Sequence, residues 1–154
     1  MSEAPLEVAS RLFAQAVAAL RTAAGPSAGG ADLLGVLTVG EGVRRALDRA
    51  GVAALADLER RGTFGERGYR SGAAALGDLL GWERFEARRH LAAAEHVRPR
   101  VGLDGALLPS RLPATAAAFE TGAASVRHVE VVARVLGSDA AGRVGPQRWG
   151  DAGG

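Results

Sequence analysis

The chain has 154 residues with 19 basic side chains, 17 acidic ones, three histidines and no cysteine, giving a formal net charge of +2. That length holds one domain with loose ends, and the absence of cysteine excludes disulfides and thiolate metal sites. No apolar run reaches the length of a membrane span, the first ten residues lack the basic and apolar regions of a signal peptide, and a cytoplasmic location is expected; the small net charge does not by itself imply a nucleic-acid partner.

Hydrophobic residues make up 47% of the chain, yet aromatic ones only 5%. A core of alanine, leucine and valine brings helices close together while each contact buries little area, so modest stability is expected. Every basic residue is arginine, and lysine, isoleucine and asparagine are all absent. The codons of those three residues are AT-rich, so the bias points first to a GC-rich bacterial genome. Guanidinium suits phosphate geometry, but its abundance here is weak evidence for phosphate binding.

In chain order, Leu6, Ala9, Phe13, Ala16, Val17 and Leu20 recur at helical spacing and predict a helix over Leu6–Thr22. Residues 25–30 break the chain, and 25–40 reads as a Gly/Pro-rich linker followed by a short apolar segment, Leu33–Val39, that is either a helical turn or an irregular stretch. A longer helix is predicted over Glu41–Arg61, with a stripe of Val43, Ala46, Leu47, Ala50, Ala54, Leu55 and Leu58 and with Arg60 and Arg61 at its negative end. Gly62 stops it, and Thr63–Arg70 reads as a polar connector. Ser71 is placed to cap a helix over Gly72–Leu80, Gly81 turns the chain, and a further helix spans Glu83–Val97 up to Pro99. After a loop with Gly102, Asp104 and Gly105, Pro113 opens a helix to Thr121. Ser125 then caps Val126–Leu136, and a Gly/Arg-rich tail is expected to fray from Gly137. No strand pattern of useful length is present. The fold class predicted is all-α, a bundle of five or six short helices with helix–turn–helix-like pairs. Its parts are an N-terminal helix (1–24), a linker (25–40), a helical domain (41–136) and a flexible tail (137–154).

Charge is uneven along this plan. Residues 60–100 hold nine arginines and five acids, a net of +4, whereas the remainder holds ten arginines and twelve acids, a net of −2. On the helix 83–97, Ala87, Leu91 and Ala94 fall on one face, Arg84 and Arg88 align on another, and Arg89 lies apart. A helix–turn–helix pair with an arginine-lined second helix is one geometry that contacts DNA phosphates. The alternative is a solvated face with Glu86–Arg89 and Arg88–Glu95 pairs. The second helix pair, 113–121 and 125–136, carries Arg127, His128 and Arg134 in the same grammar, which is also common in plain bundles.

His90 and His96 are six residues apart on one helix and project from different faces, and His128 is distant, so no paired-histidine zinc site is expected. Glu83 and Glu86 read as helix solvation. The glycines of 25–30 follow no strand and precede no lysine, so no phosphate loop is expected, and no nucleophile is paired with a base. No cofactor, metal or catalytic residue is therefore expected.

Five blocks occur in fixed order: Leu55-Ala-Asp-Leu-Glu-Arg-Arg-Gly62, Gly68-Tyr-Arg-Ser71, Leu80-Gly-Trp-Glu-Arg-Phe-Glu-Ala-Arg-Arg89, Leu112-Pro-Ala-Thr-Ala-Ala-Ala-Phe-Glu-Thr-Gly122 and Ser125-Val-Arg-His128. Together they resemble the DUF222 family (13E12 repeat family) over Glu41–Leu136. The family is a helical domain of unknown function that commonly stands before an HNH endonuclease domain in high-GC bacteria. Two positions depart from its pattern: Glu83 replaces a serine cap, and Ala75 stands where an aromatic is common. The later helices and the nuclease domain of the family pattern do not follow after about Arg143, so a C-terminally truncated relative is expected. HNH chemistry needs clustered histidines and an asparagine that the chain lacks, so it is expected not to cut DNA. The resemblance and the arginine placement together imply an accessory domain that contacts DNA phosphates, with Arg70, Arg84, Arg88, Arg89 and Arg127 as the contacts, beside a linked nuclease. The competing expectations are a protein–protein or self-association module and a remnant without independent activity.

Overall fold

In the computed structural model, the backbone is described for residues 4–144 and the surroundings of side chains for residues 4–138. Seven helices and one very short hairpin occur among them: α1 (Pro5–Ala23), α2 (Gly30–Arg60), α3 (Thr63–Glu66), α4 (Gly72–Leu80), α5 (Arg84–Val97), β1 (Arg100–Val101), β2 (Leu107–Leu108), α6 (Pro113–Glu120) and α7 (Val126–Val144). The all-α expectation holds, and both helix pairs read from the sequence are present as α4–α5 and α6–α7. The chain divides into two units, Met1–Arg45 and Ala46–Gly154.

The first unit holds α1 and the first half of α2. Pro5 enters the first turn of α1, where its missing N–H matters least, and the Glu7 carboxylate accepts the Ala4 N–H at 3.4 Å. The chain then turns through residues 24–29, and Asp32 accepts the Gly29 N–H at 3.0 Å to begin α2. The apolar segment left open by the sequence is helical, because α2 continues without a break from Gly30 to Arg60. Gly35, Gly40 and Gly42 each weaken a helix by only about 1 kcal/mol, and none of them ends α2. Between Pro26 and Pro99 there is no proline. Glu41 bridges Arg44 and Arg45 at 2.9 and 2.8 Å, which holds its carboxyl down at about 2 and ties together the turn that the glycines loosen.

The second unit contains all of the core. Val52, Leu55, Phe64, Ala75, Leu76, Ala87, Ala93, Ala94, Val97, Phe119, Val126 and Val129 are buried together. α5 is the central helix, packed on α4, α6 and α7. Its alanines make this possible: a methyl at 87, 93 and 94 lets neighbouring helices approach where a leucine would hold them off. Ala75 is fully enclosed despite standing at a position where a larger side chain was anticipated.

Caps fix the order of the helices. Ser71 Oγ accepts the Ala74 N–H at 3.2 Å to start α4. Gly81, with φ +68°, ends it in the left-handed conformation, its N–H bonded to the Gly77 carbonyl. Glu83 makes no side-chain cap bond to α5. At α7, Ser125 is buried and His128 occupies the place of the usual capping-box acid, its Nδ1 accepting the Ser125 N–H at 3.1 Å. Two short elements were not legible in the sequence: the single turn α3, within the supposed connector, and the β1–β2 hairpin, in which Arg100 pairs with Leu108 and Val101 with Leu107. α7 also continues to Val144, past Gly137 where fraying was expected, and the rest of that tail lies outside the described residues.

Candidate nucleic-acid interface

α5 buries Ala87, Ala93, Ala94 and Val97, and its exposed face is therefore a narrow stripe through Arg84, Arg88 and Glu95. The two arginines stand one helical turn apart, about 6 Å along the axis. Both are exposed, and neither makes a hydrogen bond or ion pair among the described residues. Their placement does nothing for the helix. Like charges at this spacing repel, and Arg84 sits in the first turn, where the helix dipole disfavours a cation.

Arg89 has a different environment. Its Nε donates to Glu130 Oε2 at 2.7 Å across to α7, with only 22% and 27% of the two side chains exposed. Its guanidinium also lies 5.2 Å from the Phe85 ring centre. Glu130 holds Arg134 through its other oxygen at 3.1 Å. The local pairs Glu86–Arg89 and Arg88–Glu95 do not form: Arg89 goes to Glu130, and Glu95 takes Arg111 at 3.0 Å. Arg70 is exposed in the bend before α4, and Arg127 is exposed in the first turn of α7; neither lines a groove next to α5.

Two grooves flank the stripe, and Arg88 borders both. The larger, about 850 Å³, is lined by the apolar Leu91, Val101 and Leu107 and by Arg60, Arg88, Arg98, Arg100 and Arg111. Several of these cations already have partners: Arg60 holds Asp57 at 3.1 Å, Arg98 holds Glu120 at 3.3 Å, and Arg100 Nε donates to the Pro109 carbonyl at 3.1 Å. The Arg60 bond keeps the Asp57 carboxyl below its ordinary range. The smaller groove, about 550 Å³, collects Arg84, Phe85, Arg88, Arg89 and Arg134 with Glu83 and Glu130. Phe85 is 60% exposed there. An exposed aromatic face among arginines is the combination on which nucleic-acid bases stack.

The fold thus brings together three of the five arginines singled out from the sequence, Arg84, Arg88 and Arg89, and leaves Arg70 and Arg127 apart. It adds Phe85, Arg60, Arg98, Arg100, Arg111 and Arg134. Arg60, Arg98 and Arg100 were inside the basic window. Arg111 and Arg134 were not, because only the packing of α6 and α7 on α5 carries them to the grooves.

The histidines all have local partners. His90 Nδ1 lies 3.0 Å from the Glu86 carbonyl and Nε2 3.5 Å from Asp48, and its ring packs 4.6 Å from that of Trp82. His96 Nδ1 lies 2.7 Å from the Ala92 carbonyl. Among the described residues, no group of three or more His, Asp or Glu side chains is placed to hold a metal ion, and no helix is long and apolar enough to cross a membrane. Tyr69 donates to Asp78 at 2.6 Å, a bond that raises the phenol's pKa and braces the bend carrying Arg70 against α4.

A family model described as Domain of unknown function (DUF222) matches residues 34–144. Among curated proteins and solved structures, nothing matches.

Proposed function

Because the chain belongs to the DUF222 family, whose role is open, we propose a function from its surface: an accessory, non-catalytic domain that contacts DNA phosphates through the exposed stripe of α5. The observation that carries this reading is the pair Arg84 and Arg88, exposed, without partners among the described residues, and set where helix electrostatics opposes them. Groups retained against local stability are the ones to examine for function.

α5 is flanked by α4, α6 and α7, so it does not project as an insertable recognition helix. The contact is with backbone phosphates, which position a protein on DNA without reading sequence. Arg84 and Arg88 provide it, with Phe85 beside them; Arg70 and Arg127, exposed at the starts of α4 and α7 and outside both grooves, make separate phosphate contacts. Arg89 acts through Glu130, holding α5 against α7 so that the stripe keeps its shape. In a bacterial cytoplasm, such a domain would hold DNA for an HNH nuclease domain to which it is linked.

Fluorescence anisotropy with a labelled DNA duplex across a salt series tests this reading. With one phosphate each for Arg70, Arg84, Arg88 and Arg127, log K should fall against log salt with a slope of roughly −3 to −4. No binding at low salt, or a slope near zero, would remove the proposal.

A further inference from the structure

Phe85 stands in the first turn of α5 with 60% of its surface exposed, so packing into the core does not account for it. One face of its ring is occupied: the Arg89 guanidinium lies over it, 5.2 Å from the ring centre. Arg89 is itself fixed by Glu130 at 2.7 Å, and Glu130 also holds Arg134 at 3.1 Å. The ring therefore rests on an anchored cation, and at this exposure its second face is open. Seven residues on, Ala92 lies in nearly the same direction from the helix axis, with Arg88 to one side and Arg89 to the other. A methyl at 92 leaves the space alongside the ring unfilled, and that space is the smaller groove, about 550 Å³.

We infer that this groove binds an unpaired base of single-stranded DNA, stacked on the open face of Phe85, with the phosphates flanking that base on Arg84 and Arg88. The site rests on the phosphate contact proposed above for those two arginines and adds the class of strand it takes. Four arginines against two acids make the groove net positive, and Glu130 is already shared between Arg89 and Arg134. Arg84 and Arg88 are the cations left over. They stand about 6 Å apart along the axis, close to the step between neighbouring phosphates of one strand.

The chemistry separates single strand from duplex. In a duplex each base is covered on both faces by its neighbours and paired at its edge, so offering one to Phe85 costs unstacking and unpairing. An unpaired strand presents a free π-face at no such cost, and an aromatic ring among arginines accepts any base. The guanidinium under the ring helps by fixing its position, so little side-chain freedom remains to be lost on stacking. Charge also selects a nucleotide over an apolar protein surface. A protein seated on Phe85 desolvates Arg84 and Arg88 and leaves them unpaired, which is costly, whereas a nucleotide brings ring and anion together.

Fluorescence anisotropy of the full chain, with a labelled oligothymidylate and with a labelled duplex across one salt series, tests the site. The single strand should show the shallower log–log slope, about −1.4 for two phosphates, and should outlast the duplex as salt rises, because stacking is not screened. Phe85→Leu keeps an apolar side chain but has no π-face. It should weaken the single strand by roughly 5- to 150-fold, the range for one stacked base, and leave the duplex unchanged. Phe85→Trp should bind the single strand at least as well as the parent, and far-UV circular dichroism checks the fold of both variants. An oligonucleotide carrying iodouracil, which on irradiation joins to the aromatic ring it stacks on, should label Phe85. Equal single-strand affinity for the parent and Phe85→Leu, or a label on another residue, overturns this site, and a duplex that still binds then leaves the phosphate contact standing. A single strand that depends on Phe85 beside a duplex that does not bind supports the site and removes the duplex reading instead. No binding of either removes both.

Discussion

Replacing Arg89 by alanine should destabilise the second unit by about 2 kcal/mol while leaving its helices intact. A charge-assisted hydrogen bond contributes about 1.5–3 kcal/mol when its groups are withdrawn from water. The Arg89–Glu130 bond is short, 2.7 Å, and both side chains are less than a third exposed. Its loss does not strand Glu130, whose other oxygen keeps Arg134 at 3.1 Å, so the lower part of that range applies. The contact with Phe85 at 5.2 Å adds about 0.5 kcal/mol. For a unit of this size, the melting temperature should drop by roughly 8–16 °C. Urea denaturation followed at the helical band measures it, with Glu130→Ala and the double variant completing a cycle that isolates the pair. Arg84→Ala is the internal control: with no partner to lose, it should stay within about 0.5 kcal/mol of the parent. An Arg89→Ala variant as stable as that control would refute the assignment of Arg89 as the brace between α5 and α7.

Two further predictions concern local structure. Gly81→Ala forces a Cβ into the left-handed turn between α4 and α5, φ +68°, and should lower stability by about 1 kcal/mol in the same urea assay; an unchanged midpoint would mean that the turn is free to rearrange. Glu41, held down to about 2 from 4.5 by Arg44 and Arg45, favours the folded helix in its charged form. Its contribution is complete above pH 4.5 and fades as pH falls towards 2. Helicity of the parent should exceed that of Glu41→Gln at neutral pH and converge with it in acid, and a gap independent of pH would contradict the fork.

Much of the second unit was legible in the sequence because its signals are local. Ser71, Gly81, Pro113, Gly122 and Ser125 each act through the backbone within a turn, and the helix ends they set lie within a residue or two of the positions read, although α7 runs on past Leu136 to Val144. Elements whose cause is not local were missed. α3 is a single turn held by burying Phe64, and the 100–108 hairpin is two residues per strand, below any periodic signal. The start of α2 was obscured by the Gly/Pro-rich run of residues 25–30, which reads as a linker although the helix already begins at Gly30. For the candidate interface, helical spacing separated Arg84 and Arg88 from the core face, but it did not show that Arg89 reaches Glu130, 41 residues away. Nor could it bring Arg111 and Arg134 into the grooves.

The double variant Arg84→Ala/Arg88→Ala measures what Arg84 and Arg88 are for in a single titration against duplex DNA across salt. Two lost phosphate contacts should weaken binding and make the log–log salt slope shallower by about 1.8, with urea stability unchanged. An affinity and slope equal to those of the parent would place the nucleic-acid contact elsewhere, or nowhere, on this chain.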